Sequence, residues 1–127
     1  MIRAIATDID GTFLTTDRHY DQQLFKQLYR RMAQQGIRFI VASGDQYYFL
    51  RSLFPDIADD LAFVAENGVL TVDRNQEITC GQLKTADVTR IIAYLETLPQ
   101  TNYIVCGRQY AYVKDTMPDY FIQNMDK

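Results

Sequence analysis

Asp8-Ile9-Asp10-Gly11-Thr12 sets two carboxylates, a glycine and a hydroxyl in immediate succession near the start of a 127-residue chain. If the residues before them form a strand, alternation puts Asp8 and Asp10 on one side and Ile9 in the core. Two carboxylates so placed suit a hard cation such as Mg²⁺, which takes oxygen ligands. They also suit covalent chemistry, one acting as nucleophile while the other moves a proton. Gly11 lets the backbone turn and approach a ligand closely. Thr12 offers a hydroxyl and a backbone N–H to an anion. The competing reading is an ordinary Asp-Gly turn. A second candidate is Ser43-Gly44, whose hydroxyl and following N–H groups suit a phosphoryl oxygen. By itself Ser-Gly reads more readily as a plain N-cap or turn, and it gains weight only when paired with Asp8 at the same sheet edge.

The elements that must position these residues are legible in the hydrophobic pattern. Residues 3–9 form a short apolar run that reads as a buried strand, ending at the aspartates. Leu24, Leu28 and Met32, with Phe25 and Tyr29 beside them, mark a helix over 21–35 with Gly36 beyond it. The continuously apolar run 37–42 reads as a strand covered on both faces, ended by Ser43-Gly44. A short helix over 46–54 stops before Pro55, and 61–65 is a third strand. Strand, helix, strand, helix, strand implies right-handed crossovers and a parallel sheet. Ligands of such sheets bind beyond the carboxyl ends of the strands, where Asp8 and Ser43 fall.

After Gly68 the texture changes. Residues 69–72 and 77–80 flank the turn-rich 73–76 and predict a hairpin. Thr85 is the expected N-cap of a helix carrying Val88, Ile91, Ile92, Leu95 and Leu98, ended by Pro99. Strands are expected over 102–106 and 109–113, and a last helix, opened by Thr116 and Pro118, holds Phe121, Ile122 and Met125. A boundary near residue 80 separates an α/β part from an α+β part.

Composition narrows the partners. A chain 47% hydrophobic and 23% charged is that of a folded globular protein. With a net charge of -3 it has no electrostatic attraction to nucleic acid or an anionic membrane. The longest apolar run, 39–42, is far below the ~20 residues of a membrane span. Asp8 and Asp10 interrupt any signal-peptide core, so the expected location is the cytosol. Cys80 and Cys106 lack metal-site spacing and are read as reduced, mostly buried thiols. His19 is the only histidine, which excludes a histidine triad or cluster, and it is expected in an exposed loop. Asp59-Asp60 reads as a solvated turn. Tyr47, Tyr48, Tyr110 and Tyr112 read as half-buried packing, and Lys84 and Lys114 as solvated.

These residues also carry a family likeness. Asp8-Ile9-Asp10-Gly11-Thr12-Phe13-Leu14 resembles motif I of the haloacid dehalogenase superfamily, and Val41-Ala42-Ser43-Gly44 resembles motif II. Ala65-Glu66-Asn67-Gly68 and the hairpin after it resemble the Cof-type subfamily of sugar-phosphate and related phosphatases. The motif-level likeness covers residues 2–68. It implies an α/β class: an incomplete Rossmann-like core over 1–80, then part of an α+β cap over 81–127. It also implies Mg²⁺-dependent hydrolysis of a small phosphorylated metabolite, a sugar phosphate or similar. Asp8 would be the nucleophile, forming an aspartyl-phosphate and binding Mg²⁺. Asp10 would be the general acid/base and lend a carbonyl to the metal. Ser43, Gly44, Gly11 and Thr12 would hold the phosphoryl group, with the N–H groups of 9–11.

Three departures from the family pattern matter. The motif III Lys or Arg and the motif IV acidic pair have no counterpart in these residues. Asp45 stands where many relatives carry Arg. Since electrostatic stabilisation is usually the largest catalytic term, impaired or absent turnover is expected. An incomplete sheet would also expose an apolar strand edge, so self-association through that edge or the cap fragment is expected. The competing classes are a non-catalytic remnant acting only by association or binding, a phospho-accepting receiver domain and a glycosyltransferase DxD site. The receiver is disfavoured because the third strand ends in Glu66 instead of Asp. The early Gly-Thr disfavours the glycosyltransferase.

Overall fold

The computed structural model describes residues 1–125, with side chains described through Gln123. The short apolar runs form the strands, and period-two alternation gives the three inner ones a face to bury. In order these are β1 (Ala4–Thr7), β2 (Arg38–Ala42), β3 (Ala62–Ala65), β4 (Leu70–Asp73) and β5 (Gln76–Cys80). They lie in one mixed sheet in the order β1-β2-β3-β4-β5. β1 and β3 each run parallel to β2, with Thr7 opposite Val41 and Ala42 opposite Val64. β4 and β5 add antiparallel strands beside β3. This is the expected Rossmann-type arrangement.

Two helices make the crossovers. α1 (Gln22–Gln34) starts at Asp21, whose carboxylate accepts from the N–H of Leu24 at 2.8 Å. α2 (Tyr47–Ser52) links β2 to β3. The core holds Phe39 and Val41 of β2, Phe63 and Ala65 of β3, Leu70 and Val72 of β4, and Phe25, Leu50 and Phe54. Phe13, Phe25 and Phe39 stack in succession, with ring centroids 4.9 Å apart at both steps. Such contacts add to burial through edge-to-face attraction. Arg51 of α2 ties three segments together, donating to Tyr47 Oη at 3.1 Å, to Asp59 Oδ1 at 2.6 Å and to Asn75. Asp59 is therefore an ion-pair partner as well as a turn residue.

Several expectations need correction. Only one face of β2 is fully buried; Arg38, Ile40 and Ala42 are half-exposed. β1 is an edge strand whose Ala4, Ile5 and Ala6 are exposed, so the buried reading fails there. On α1 the buried stripe runs through Phe25, with Tyr29 and Met32 packed against the core, while Leu24 and Leu28 are exposed. The period-four repeat named the wrong flank, because the aromatic cluster draws the helix in by Phe25.

The chain separates into two compact units, Met1–Gln82 and a second from Leu83 onward. The second contains α3 (Thr85–Leu95), a hairpin of β6 (Val105–Cys106) and β7 (Ala111–Tyr112), and α4 (Asp119–Met125). The N-cap of α3 is Lys84, not Thr85; lysine has no acceptor and caps nothing with its side chain. Thr85 instead lies inside the helix, its carbonyl bonded to Thr89 Oγ1 at 3.0 Å. Helix α4 opens after Pro118, whose carbonyl accepts from Phe121 and Ile122; the expected role of Met125 as an apolar side chain lies outside the described residues. Lys114 pairs with Glu96 at 2.5 Å and so is not simply solvated. Cys80 is half-buried and Cys106 exposed, against the expectation of buried thiols, and they are not bonded to each other. Among the described residues no helix is long and apolar enough to cross a membrane.

Candidate active site

β1 ends one residue before Asp8, and the backbone stays extended through Asp8. A wide turn follows. The N–H groups of Phe13 and Leu14 reach back five residues to the carbonyls of Asp8 and Ile9, at 3.2 and 2.9 Å. Ile9 and Leu14 are buried and Phe13 enters the aromatic cluster, so the turn is anchored from below. Asp8, Asp10, Gly11 and Thr12 are left exposed above it, as alternation predicts. Gly11 has φ +69, a left-handed conformation that glycine adopts without penalty. A Cβ there would meet nothing within 4 Å. The position therefore requires glycine for its backbone angle and not for space.

The second loop follows β2 and is zipped to the end of β3. Ser43 N–H donates to Val64 O at 3.0 Å, and Glu66 N–H donates to Asp45 O at 3.0 Å. Asp45 N–H donates to Ser43 Oγ at 3.1 Å. A Cβ on Gly44 would lie 3.1 Å from Asn67 Oδ1. Gly44 is thus also a packing glycine that lets the 66–68 turn close on the loop. Parallel pairing of β1 and β2 sets the Asp8–Thr12 turn beside the Ser43–Asp45 loop at one sheet edge.

Asp45 lies near enough to the first loop to feel the charge of Asp10. It was singled out in the sequence only as a departure. Its carboxyl is raised above the ordinary Asp value, first by burial and then by the negative charge of Asp10. The nearby Ser43 hydroxyl and the charge of Arg18 act in the opposite direction, while the closeness of the Asp10 carboxyl adds to the rise. Asp45 Oδ2 is buried without a partner. Ionising Asp45 therefore costs more than ionising a solvated aspartate. Arg18 was not anticipated at all. Its Nη2 lies 4.0 Å from Asp10 Oδ1. Only the folded path of the 15–19 loop brings it there, and no motif marks it. Tyr47 packs on Phe63, while Tyr48, Tyr110 and Tyr112 are exposed. His19 is exposed.

Asp45 yields a pH-dependent expectation. An acid raised in the folded state releases its proton less readily there, so its effect on stability worsens as pH rises from 3.8 through the folded value. Asp45→Asn removes that effect. In metal-free buffer its melting temperature should exceed that of the parent by a few degrees at pH 7, and the gap should close below pH 3.8. A variant less stable than the parent at pH 7 would contradict this.

The donor set here is exposed carboxylate oxygen plus the unpartnered Asp45 Oδ2, which fits a hard cation such as Mg²⁺ in kind. Among the described residues no three His, Cys, Asp or Glu side chains form a metal-holding group. Mg²⁺ tolerates this, since it commonly takes one or two carboxylates and keeps several waters.

A mixed sheet carrying a carboxylate turn at the end of one parallel strand and a serine loop at the end of the next is a Rossmann-type α/β arrangement. The chain belongs to the haloacid dehalogenase-like hydrolase family, which it matches over residues 5–127. It is 44% identical over 111 residues to 5-amino-6-(5-phospho-D-ribitylamino)uracil phosphatase YbjI of Escherichia coli (strain K12), covering 87% of this chain and 41% of that protein. It is 30% identical over 120 residues to phosphoglycolate phosphatase 1 of Saccharolobus solfataricus, covering 91% of this chain and 52% of that protein. Among solved structures, SMU.1108c of Streptococcus mutans UA159 superposes with a TM-score of 0.92 at 32% identity, over 99% of this chain and 48% of that one. The chain thus spans about half the length, or less, of these relatives.

Proposed function

We propose that this chain carries the nucleophile-bearing part of a phosphomonoesterase acting on a small phosphorylated metabolite. The observation that supports it most is the pairing of the Asp8–Thr12 turn with the Ser43–Asp45 loop at the ends of adjacent parallel strands. Two relatives with the names of small-molecule phosphatases point the same way. Their substrates differ, so the reading extends to the phosphoryl group and not to one leaving group.

In this reading the Asp8 carboxylate attacks phosphorus and displaces the substrate oxygen, forming an aspartyl-phosphate. Asp10 gives its proton to the leaving oxygen, then takes one from the water that hydrolyses the intermediate. Ser43 Oγ and the N–H groups of 9–11, with Gly11, Thr12 and Gly44 keeping the approach open, hold the phosphoryl oxygens. Asp8 and the Asp10 carbonyl would hold Mg²⁺, which supplies charge neutralisation at the phosphoryl oxygens. Residues 1–80 serve as core and 81–127 as cap in this scheme, in the cytosol. The positive charge of motif III and the acidic pair of motif IV have no counterpart here, so slow turnover is expected from this chain alone. Hydrolysis of an aryl phosphate that requires both Mg²⁺ and Asp8 is the test. Equal rates with Asp8 intact or replaced would leave the non-catalytic reading.

We further propose that the chain self-associates along β1. This edge strand presents unpaired backbone groups, and Ile2, Ile5, Leu24 and Leu28 are exposed in the same unit. Light scattering should give a mass above 14.8 kDa that rises with concentration. A monodisperse 14.8 kDa species across the concentration range would count against it.

A further inference from the structure

We propose that Arg18 is a tethered counter-cation of the carboxylate site. It neutralises Asp10 while no divalent ion is bound, competes with that ion, and offers its guanidinium to the phosphoryl group of an entering phosphomonoester. The proposal rests on the metal and phosphoryl reading given above.

The backbone of Arg18 is fixed while its guanidinium is exchangeable. Arg18 N–H donates to Thr15 O at 2.8 Å, and Thr15 N–H to His19 O at 2.9 Å. His19 N–H donates to Thr15 Oγ1 at 3.1 Å, closing the loop a third time. Arg18 itself sits at φ +58, a left-handed conformation uncommon outside glycine and held here by those bonds. The far end is different. The 4.0 Å gap to Asp10 Oδ1 exceeds hydrogen-bond length, so the contact is Coulombic. Both side chains are more than half exposed, at 56% and 57%. The guanidinium carbon lies 5.9 Å from the centroid of Phe49, a second weak support.

A single cation beside the carboxylate turn has two opposite effects. It lowers the affinity of the carboxylates for a second cation by like-charge repulsion. It raises the affinity for a phosphoryl oxyanion, which a planar guanidinium can meet with two parallel N–H bonds. Solvent exposure keeps both effects modest.

The test uses the whole chain and two probes in calorimetric titration: Mn²⁺ alone, and inorganic phosphate in saturating Mg²⁺. Arg18→Gln should bind Mn²⁺ about threefold more tightly and phosphate about threefold more weakly than the parent. Arg18→Lys keeps the charge and should return Mn²⁺ affinity to the parent value. Opposite signs on the two probes are the signature, because a purely structural loop residue would weaken both. Weakening of both, or no change in either, overturns the proposal while leaving the site reading intact. Absence of saturable Mn²⁺ and phosphate binding to the parent overturns the site reading and this proposal with it.

Discussion

Replacing Asp8 by Asn is expected to reduce Mg²⁺-dependent aryl-phosphate hydrolysis by this chain to the uncatalysed background. Loss of a covalent nucleophile typically costs on the order of a thousandfold or more, and here the parent rate is already expected to be low. The substitution is nearly isosteric. Asp8 is exposed and its side chain supports no packing, so the fold should survive. What Asn lacks is the carboxylate lone pair that attacks phosphorus and the charge that holds the metal. An unchanged melting curve together with vanished turnover is therefore the predicted pair of results. A variant that keeps the parent rate would remove Asp8 from the mechanism.

The largest expected effect on stability lies at Phe63. Its ring is 1% exposed at the centre of β3 and meets the Tyr47 ring edge-on at 5.4 Å between centroids. Removing a buried phenyl group costs both its transfer energy and a cavity, about 3–5 kcal/mol. Total stability of a small domain is about 5–15 kcal/mol, so Phe63→Ala should leave the chain marginal or unfolded at 25 °C. Urea unfolding measures this, with the midpoint falling sharply and the slope nearly constant. Tyr48→Ala, at a half-exposed ring in the adjoining helix, should shift the midpoint little. Equal losses from both variants would contradict the assignment of the core.

Phe63, Phe39 and Val41 show what the sequence makes legible. Short apolar runs bounded by turn residues must bury a face, and the strand order follows from the helices between them. The acidic turn was equally legible, since Asp-x-Asp-Gly-Thr after a strand leaves few other readings. The exposure of β1 was misread because a run such as Ile-Ala-Thr looks the same at a sheet edge as at its centre. Leu24 and Leu28 were misread for a related reason: a helix with two adjacent apolar flanks does not declare which one the aromatic cluster will take. Arg18 was invisible because its position beside Asp10 depends on a stapled loop and a left-handed residue, neither of which has a periodic signal. Asp45 was visible as a charge. Its partial burial and its nearness to Asp10 arise only when two loops from different strands meet.

The central claim is that Asp8 becomes covalently phosphorylated. The most direct measurement is to mix the chain with a reactive acyl phosphate and Mg²⁺, quench, reduce with borohydride and sequence the peptides by mass spectrometry. Reduction converts an aspartyl-phosphate to homoserine, so homoserine at position 8 in the parent and its absence from Asp8→Asn is the predicted result. Reduction at another carboxylate, or at none while hydrolysis proceeds, would contradict it.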